Sequence, residues 1–176
     1  MVEVKLQLPL SKEKLKELHA GDFVLLSGPV FTARDAGHVR LLEALDECGE
    51  LPFHLKGQTI FYAGPTPAAA GRPLGSVGPT TASRMDFAAP RLHEAGIVAS
   101  IGKGTRSEQV KQSCIDTGSI YFAAVGGSAA LLAKCVVNAQ TVAWKDLGTE
   151  ALRKLELKDF PCFVALDTYG GDIYAI

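Results

Sequence analysis

The sequence predicts an α/β domain with a mixed central sheet. Apolar strand-like runs alternate with helix-like segments through the middle of the chain, and strand-like segments dominate both ends. Of the 176 residues, 47% are hydrophobic, which is enough for a substantial core. Because no repeat, low-complexity tract or linker divides the chain, we expect residues 1–176 to form a single domain.

Two strands, each followed by a helix, are predicted in the first third of the chain. Residues 2–8 alternate apolar and polar and indicate a strand, and Ser11 can cap a short helix after it. Residues 23–31 are apolar enough for a central strand. Thr32 then stands at the expected start of a helix that ends near Gly49.

One strand and a long irregular segment are predicted in the middle third. Residues 59–63 indicate the strand, and residues 64–79 contain too much glycine and proline for regular structure. Loops of this length in compact domains are usually functional or disordered. A helix is expected over residues 81–95, kinked or split at Pro90, and a strand over residues 97–101.

The last third is predicted to be richer in strands. A turn at 102–107 leads to a helix over 108–116, a strand at 120–125, a short helix at 128–135 and an extended segment at 136–144. Two short strands at 155–157 and 162–166, a turn at 169–172 and residues 173–176 resemble a terminal hairpin.

Charge and cysteine content exclude several classes of protein. The net charge of −1 gives no reason to expect nucleic acid or an anionic membrane as a partner. The cysteines at 48, 114, 135 and 162 show no C-x-x-C spacing, so we expect neither a disulfide framework nor metal ligands in this chain. No signal-like or membrane-spanning pattern is evident, which predicts a cytoplasmic protein.

Three junctions at predicted helix starts carry hydroxyl groups and a cation, namely residues 32–35, 80–84 and 103–107. A helix start presents unpaired N–H groups and the positive end of the peptide dipoles, which suits a carboxylate or phosphate. If their strands share a sheet, the junctions can surround one small polyanion. For any single junction the alternative is that the hydroxyls only cap a helix and the cation is solvated.

Other chemical signals are weaker. Gly102-Lys103-Gly104 lacks the spacing of a phosphate loop, and no motif of a self-contained nucleophilic enzyme is present. His38 lies one turn beyond Arg34 and could polarise or protonate a substrate, although a lone histidine is more often an ordinary half-buried residue. The chain therefore offers cations, hydroxyls and backbone donors but no evident acid.

A series of motifs in this order resembles the β subunit, or C-terminal region, of class I iron–sulfur fumarases and L(+)-tartrate dehydratases. The motifs are Gly21-Asp22, Leu26-Ser27-Gly28, Thr32-Ala33-Arg34-Asp35-Ala36 with His38, Gly78-Pro79-Thr80-Thr81, Arg84-Met85-Asp86, Gly102-Lys103-Gly104 with Arg106-Ser107, Gly126-Gly127 with Ala129-Ala130, and Asp159-Phe160-Pro161. The resemblance covers nearly the whole chain and implies a swivelling β/β/α domain.

The resemblance also implies an activity and a partner. The family adds water across fumarate to give S-malate, or dehydrates tartrate to oxaloacetate. A separate α subunit is expected to carry a [4Fe–4S] cluster that this chain does not ligate, so this chain would supply half of an active site. An α2β2 assembly of the two subunits is the symmetric arrangement that such a partner allows. A non-catalytic anion-binding domain is the alternative from a different class.

Roles for individual residues follow from the resemblance. It implies that Arg34 and Arg84 bind substrate carboxylates, that Lys103 adds a third cation, and that Thr80 is the proposed base. The remaining members of the implied substrate-binding set are Thr81 and Arg106. Fixed cations and helix ends would stabilise the charge that develops when a proton beside a carboxylate is removed.

This sequence departs from the commonest family pattern at three positions. Thr105 replaces an asparagine in the K-G-N-R-S motif, Ser128 replaces a proline after the Gly-Gly pair, and Arg153 stands where an aromatic residue is frequent. Thr105 lies in the implied site and could affect the choice between fumarate, tartrate and another dicarboxylate. The other two are expected to alter local packing.

Overall fold

A seven-stranded mixed sheet is the centre of the structure, a computed structural model that describes residues 3–175. The strands are β1 (Glu3–Gln7), β2 (Phe23–Thr32), β3 (Thr59–Phe61), β4 (Ala99–Gly102), β5 (Ile120–Ala123), β6 (Val136–Ala143) and β7 (Leu152–Leu166). The helices are α1 (Lys12–Leu15), α2 (Asp35–Cys48), α3 (Ala89–Ala95), α4 (Glu108–Thr117) and α5 (Ala129–Leu132), with 3₁₀ helices at Ala82–Met85, Ala133–Cys135 and Lys145–Glu150. The predicted α/β class with a mixed sheet is confirmed.

Two long strands close the sheet on itself. β2 pairs antiparallel with β7 from Phe23 opposite Phe163 to Thr32 opposite Arg153. On its other side β2 pairs with β1 and then with β3, while β7 pairs with β6 and then with β5. The pairings of β2, β3, β4, β5 and β7 therefore form a closed circuit, with β1 and β6 outside it.

Alternating side chains of the strands feed two apolar cores. One core includes Phe61 and Phe160, whose ring centroids lie 5.3 Å apart, together with Phe122. The second core joins the opposite side of the strands to α2, α3 and α4, and it includes Tyr121 and Leu92. Helices α2, α3 and α4 consequently cover one side of the sheet, whereas α1 and α5 contribute Leu15 and Leu132 to the first core.

The carboxyl ends of four parallel strands meet at one edge of the sheet. β2, β3, β4 and β5 are parallel neighbours. Backbone hydrogen bonds extend the pairing past the strand ends, from Ala33 N–H to Phe61 O at 3.2 Å and from Tyr62 N–H to Ile101 O at 2.8 Å. In open α/β sheets and in closed barrels alike, ligands bind outside the carboxyl ends of parallel strands.

One predicted helix start was wrong, and the predicted split of another helix near Pro90 is found just before that residue. Thr32 does not cap α2, because β2 continues through it and its buried hydroxyl has no hydrogen-bond partner among the described residues. The Glu150 carboxylate takes the role expected of Thr32, because it accepts a hydrogen bond from the Ala36 N–H at 3.0 Å at the start of α2. The expected helix over 81–95 is a 3₁₀ turn followed by α3, and Pro90 lies in the first turn of α3, where its missing N–H costs nothing.

The C-terminal strands also differ from expectation. The predicted strands at 155–157 and 162–166 are parts of the single strand β7, in which Pro161 pairs with Leu25 of β2. A hairpin-like return after β7 is present as a bridge between Leu166 and Asp172, but residues 173–175 form no strand. Residues 2 and 176 of the predicted terminal strands lie outside the described residues.

Candidate anion-binding site at the carboxyl edge of the sheet

The segment that carries Thr80 inserts between the ends of β3 and β4. Thr80 N–H donates to Tyr62 O at 2.6 Å, and Thr80 O accepts from Lys103 N–H at 3.2 Å. Ala82 N–H donates to Lys103 O at 2.8 Å, which adds a second link to the turn after β4. Thr80 is buried to 8% exposure and Thr81 is exposed. The sheet edge therefore fixes the backbone that presents both hydroxyls.

Arg84 lies on the 3₁₀ helix that follows, and it faces the start of α2. Its Nε and Nη2 donate to the two carboxylate oxygens of Asp35 at 3.0 and 2.5 Å. Both side chains are partly exposed, 53% for Arg84 and 37% for Asp35. A guanidinium group has five N–H donors, so the Nη1 side of Arg84 is left for a second anion.

Arg34 lies at the N-terminal end of α2, directly after β2. Its Nε is 3.6 Å from Glu150 Oε1, and that buried Nε has no hydrogen-bond partner among residues 3–175. A Cβ built on Gly64 would lie 2.9 Å from the Arg34 Cζ, so the guanidinium group packs directly against the backbone at Gly64 and would have to shift if this residue carried a side chain. The Arg34 side chain is 31% exposed, so the other donors of its guanidinium group remain available to an anionic ligand.

Lys103 extends from the turn after β4 towards the turn after β5. A Cβ on Gly126 would lie 3.2 Å from Lys103 Cδ, which brings the Gly126-Gly127 turn against the lysine stem. No carboxylate among the described residues lies within ion-pairing distance of the Lys103 ammonium group, whereas Arg34, Arg84 and Arg106 each face one. Lys103 therefore keeps its charge available for a ligand.

Arg106 does not share this exposed arrangement. Its side chain is fully buried and donates to Asp86 at 2.6 Å, while the Tyr62 and Tyr121 rings lie 5.2 and 4.9 Å from its Cζ. Burial alone would lower the pKa of Arg106, but Tyr62 and Asp86 raise it overall, so the guanidinium group stays charged. These contacts favour a structural role, and direct substrate binding by Arg106 stays a prediction.

His38 is buried in α2 and does not face solvent. Its Nδ1 donates to Arg34 O at 2.8 Å, and its ring lies edge-on to Tyr62 at a centroid distance of 5.1 Å. Burial lowers the pKa of His38 to about 4, so the ring is neutral at pH 7. The ring thus anchors the backbone that presents Arg34, as the more ordinary interpretation of this histidine anticipates.

The sequence did not indicate the carboxylates that hold these cations. Glu150 precedes β7 and reaches the start of α2 only because β2 and β7 pair, so no local pattern identifies it. Asp35 and Asp86 stood within motifs that were singled out, yet only folding shows that they bind Arg84 and Arg106. The site therefore consists of cations that are each oriented by a carboxylate, except for Lys103.

The glycine- and proline-rich segment 64–79 is folded back on itself. Thr66 N–H donates to Ser76 O at 3.0 Å, Gly75 N–H donates to Thr66 O at 3.1 Å, and Val77 N–H donates to Ala129 O at 3.3 Å. A cavity of about 460 Å³ lies beside the segment, between it, β6 and the end of the 3₁₀ helix that carries Glu150. The segment therefore forms one wall of this cavity.

The described cysteines are not arranged to bind a metal. Cys48 is exposed at the end of α2, while Cys114 and Cys162 are buried on different elements, and burial raises the pKa of both thiols. Within residues 3–175 no group of three His, Cys, Asp or Glu side chains could hold a metal ion. No helix in the described part of the chain is long and apolar enough to span a membrane.

A family model described as the fumarase C-terminus matches residues 1–176. Fumarate hydratase 2 of Leishmania major is 38% identical over 178 residues, which cover 99% of this chain and 31% of that protein. The anaerobic class I fumarate hydratase of Escherichia coli strain K12 is 38% identical, over 98% of this chain and 32% of its own length. This chain spans about a third of the length of these two relatives.

A relative of similar length matches as well. A protein described as the putative L(+)-tartrate dehydratase subunit beta of Methanocaldococcus jannaschii is 39% identical over 171 residues, which cover 94% of this chain and 88% of that protein. The matched region thus occurs both as part of a longer chain and as a chain of its own.

Proposed function

The chain belongs to the fumarase C-terminus family, and we propose that it is the β subunit of a two-subunit hydro-lyase that reversibly hydrates fumarate to S-malate. The observation that supports the proposal is that the segments carrying Arg34, Thr80 with Arg84, and Lys103 all lie at the carboxyl ends of the neighbouring parallel strands β2, β3 and β4. A C4 dicarboxylate is a small dianion, and such an edge offers it cations, hydroxyls and backbone donors.

In this proposal the arginines bind the two carboxylates of the substrate. Arg84 would use its free Nη1 side while Asp35 holds the other side of the guanidinium group. Arg34 would use the exposed part of its guanidinium group while its buried Nε faces Glu150, and the exposed Thr81 hydroxyl would add a hydrogen bond. Orientation by fixed carboxylates reduces the side-chain entropy that each arginine loses on binding.

Thr80 is proposed to remove a proton from the substrate, and Lys103 is proposed to stabilise the negative charge that this removal creates. In the dehydration direction, the deprotonated Thr80 oxygen would accept the proton from the carbon beside a carboxylate, the electron pair of that C–H bond would form the double bond, and hydroxide would leave the neighbouring carbon. The hydroxide would then take the proton from Thr80, which releases water and restores the base. Negative charge accumulates on the carboxylate next to the deprotonated carbon. The unpaired Lys103 ammonium group would stabilise that charge.

The iron–sulfur cluster is proposed to reside on the α subunit. The scattered cysteines of the described residues do not fit cluster ligation, as a cluster would need several thiolates converging on one site. This chain is therefore proposed to bind the carboxylates and to move the proton. Such a division would leave the isolated chain with essentially no turnover.

A tartrate dehydratase subunit is the second candidate function. It is favoured by the 39% identity to the putative L(+)-tartrate dehydratase subunit beta, a relative that this chain covers to 88% of its length. Thr105, in the turn that carries Lys103, is the site residue that departs from the family pattern and could shift substrate choice.

The experiment that tests the proposal is anaerobic co-purification with the α chain of the same organism, followed by kinetics on fumarate, S-malate and both tartrate enantiomers. Turnover of fumarate and S-malate supports the first candidate, and turnover of a tartrate alone supports the second. A pair that binds dicarboxylates and turns over none of them would indicate a non-catalytic anion-binding domain.

A further inference from the structure

Arg106 is fully engaged inside the chain before any ligand binds. Its Nε donates to Asp86 Oδ1 at 2.6 Å, and its Nη groups reach the hydroxyls of Ser100 and Tyr62, each at 3.3 Å. The side chain has no exposed surface, and the Tyr62 and Tyr121 rings enclose it. A guanidinium group held in this way fixes the positions of the residues around it and has little freedom to reach a ligand.

Asp86 connects the two segments that carry the candidate catalytic groups. Its Oδ1 accepts from Arg106, and its Oδ2 accepts the Ser107 N–H at 2.7 Å. Asp86 directly follows the 3₁₀ helix that carries Arg84, whereas Ser107 caps α4 at the end of the turn that carries Lys103. Its side chain is only 15% exposed, so both contacts are shielded from water.

We propose that Asp86 and Arg106 are positioning residues that hold the Lys103 turn in register with Thr80. The register itself consists of Lys103 N–H to Thr80 O at 3.2 Å and Ala82 N–H to Lys103 O at 2.8 Å. These hydrogen bonds lie at the carboxyl edge of the sheet, beyond the ends of β3 and β4. The Asp86 carboxylate ties both segments together behind that edge.

This inference rests on the proposed function for the roles of Thr80 and Lys103, but it changes the role of Arg106. Losing the Asp86 charge would leave the buried Arg106 cation without its carboxylate partner, a situation that destabilises the local structure strongly. The turn would then relax, and Lys103 would move relative to Thr80. Arg34 and Arg84 would keep their own partners, Glu150 and Asp35.

The structural half of the test is amide hydrogen exchange on the full chain carrying Asp86→Asn. We expect the amides of Lys103 and Ala82 to exchange at least about tenfold faster, while the Leu26 amide in β2 keeps its rate. Asp46→Asn is the matched control, because it removes an exposed ion pair with Arg91 and should change none of these rates. Unchanged protection of Lys103 and Ala82 would overturn the inference.

The catalytic half is steady-state kinetics of the assembled pair. Asp86→Asn should lower kcat roughly 100-fold, because small displacements of catalytic groups are costly, while KM changes less than about threefold. The double variant Asp86→Asn, Arg106→Met removes the unpaired buried charge and is expected to regain thermal stability without regaining kcat. Recovery of kcat together with stability would mean that the ion pair of Asp86 and Arg106 only stabilises the fold, which contradicts a positioning role.

The two proposals fail in different ways. If the wild-type pair turns over neither fumarate nor tartrate, the proposed function is wrong, and exchange at Lys103 still tests the link to Asp86. If the wild-type pair is active and Asp86→Asn retains both kcat and amide protection, the inference fails while the proposed function stands.

Discussion

Arg84 and Asp35 form a bidentate ion pair across the carboxyl edge of the sheet, with donor–acceptor distances of 3.0 and 2.5 Å. The pair joins the 3₁₀ helix after Thr80 to the first residue of α2, directly beside Arg34. Asp35 adjoins Arg34 in the sequence and binds Arg84, so this acidic residue brings two of the candidate cations together. Asp35 holds one side of the guanidinium group and leaves the other side for a ligand.

Asp35→Asn is expected to impair function more than stability. Exposed ion pairs contribute little to folding, so the free energy of unfolding should change by less than about 1 kcal/mol. Without the carboxylate, Arg84 loses its fixed orientation, and kcat/KM of the assembled enzyme should fall about tenfold. Urea unfolding and steady-state kinetics check both numbers, and a large stability loss with unchanged kcat/KM would contradict the assigned role.

Arg84→Met is expected to cost at least ~2 kcal/mol of transition-state stabilisation, or about 30-fold in kcat/KM, because a substrate carboxylate would lose a charged partner. Arg91→Met is a suitable control, since Arg91 also forms an exposed ion pair, with Asp46. Kinetics of the two variants beside wild type measure the difference. Near wild-type kcat/KM for the Arg84 variant would remove it from the site.

Thr80→Val tests the proposed base. Valine preserves the shape of threonine and removes the hydroxyl, for which no hydrogen bond is found within residues 3–175, so folding should be little affected. Exchange of the substrate C–H proton with solvent should fall at least about 100-fold. The matched variant Thr81→Val should raise KM and leave that exchange nearly intact. Full proton exchange in the Thr80 variant would rule out its role as base.

Two buried histidines predict a loss of stability in acid. Burial lowers the pKa of His93 to about 3 and that of His38 to about 4. The unfolded chain therefore binds more protons than the folded chain between these values and about 6.5, so stability is fully present above that window and falls as the pH decreases through it.

His93→Asn isolates one of these contributions, because asparagine can keep a hydrogen bond to the Ser113 hydroxyl that now contacts His93 at 3.0 Å. Between pH 7 and 4.5 the variant should lose roughly 2 to 3 kcal/mol less free energy of unfolding than wild type does. The exposed His54→Asn should follow wild type. If wild type and both variants lose the same free energy of unfolding between pH 7 and 4.5, protonation of His93 does not contribute to the loss of stability in acid.

The sequence was sufficient to predict which edge of the fold carries the cations. Strands were predicted at 23–31, 59–63 and 97–101, and the junctions that carry Arg34 and Lys103 follow the first and the last of them, so they could share an edge if the strands lay in one sheet. The structure places these strands in one sheet as parallel neighbours. Local patterns also predicted most strands and the irregular nature of segment 64–79. These features depend on residues that are close together in the sequence, and hydrophobic periodicity and turn-forming residues indicate such local structure.

Features that depend on distant segments were not predictable in this way. Residues 155–157 and 162–166 were predicted as two separate strands, but both belong to β7, in which Pro161 pairs with Leu25 inside a closed circuit of strands. Arg106 looked like a ligand-binding residue from its motif, and only the packing of Tyr62 and Tyr121 around it shows that it is buried. The role of Glu150 likewise arises from the pairing of β2 with β7.

The central claim is that this chain supplies the carboxylate-binding half of a hydro-lyase site whose other half is on an α subunit. The most direct measurement is fumarate hydration by the chain alone and by the anaerobically reconstituted pair with the α chain of the same organism. We expect turnover by the pair, none by this chain alone, and at least about 30-fold lower kcat/KM when the pair carries Arg84→Met. Hydration by this chain alone, or a pair that hydrates fumarate equally well with Arg84→Met, would contradict the account.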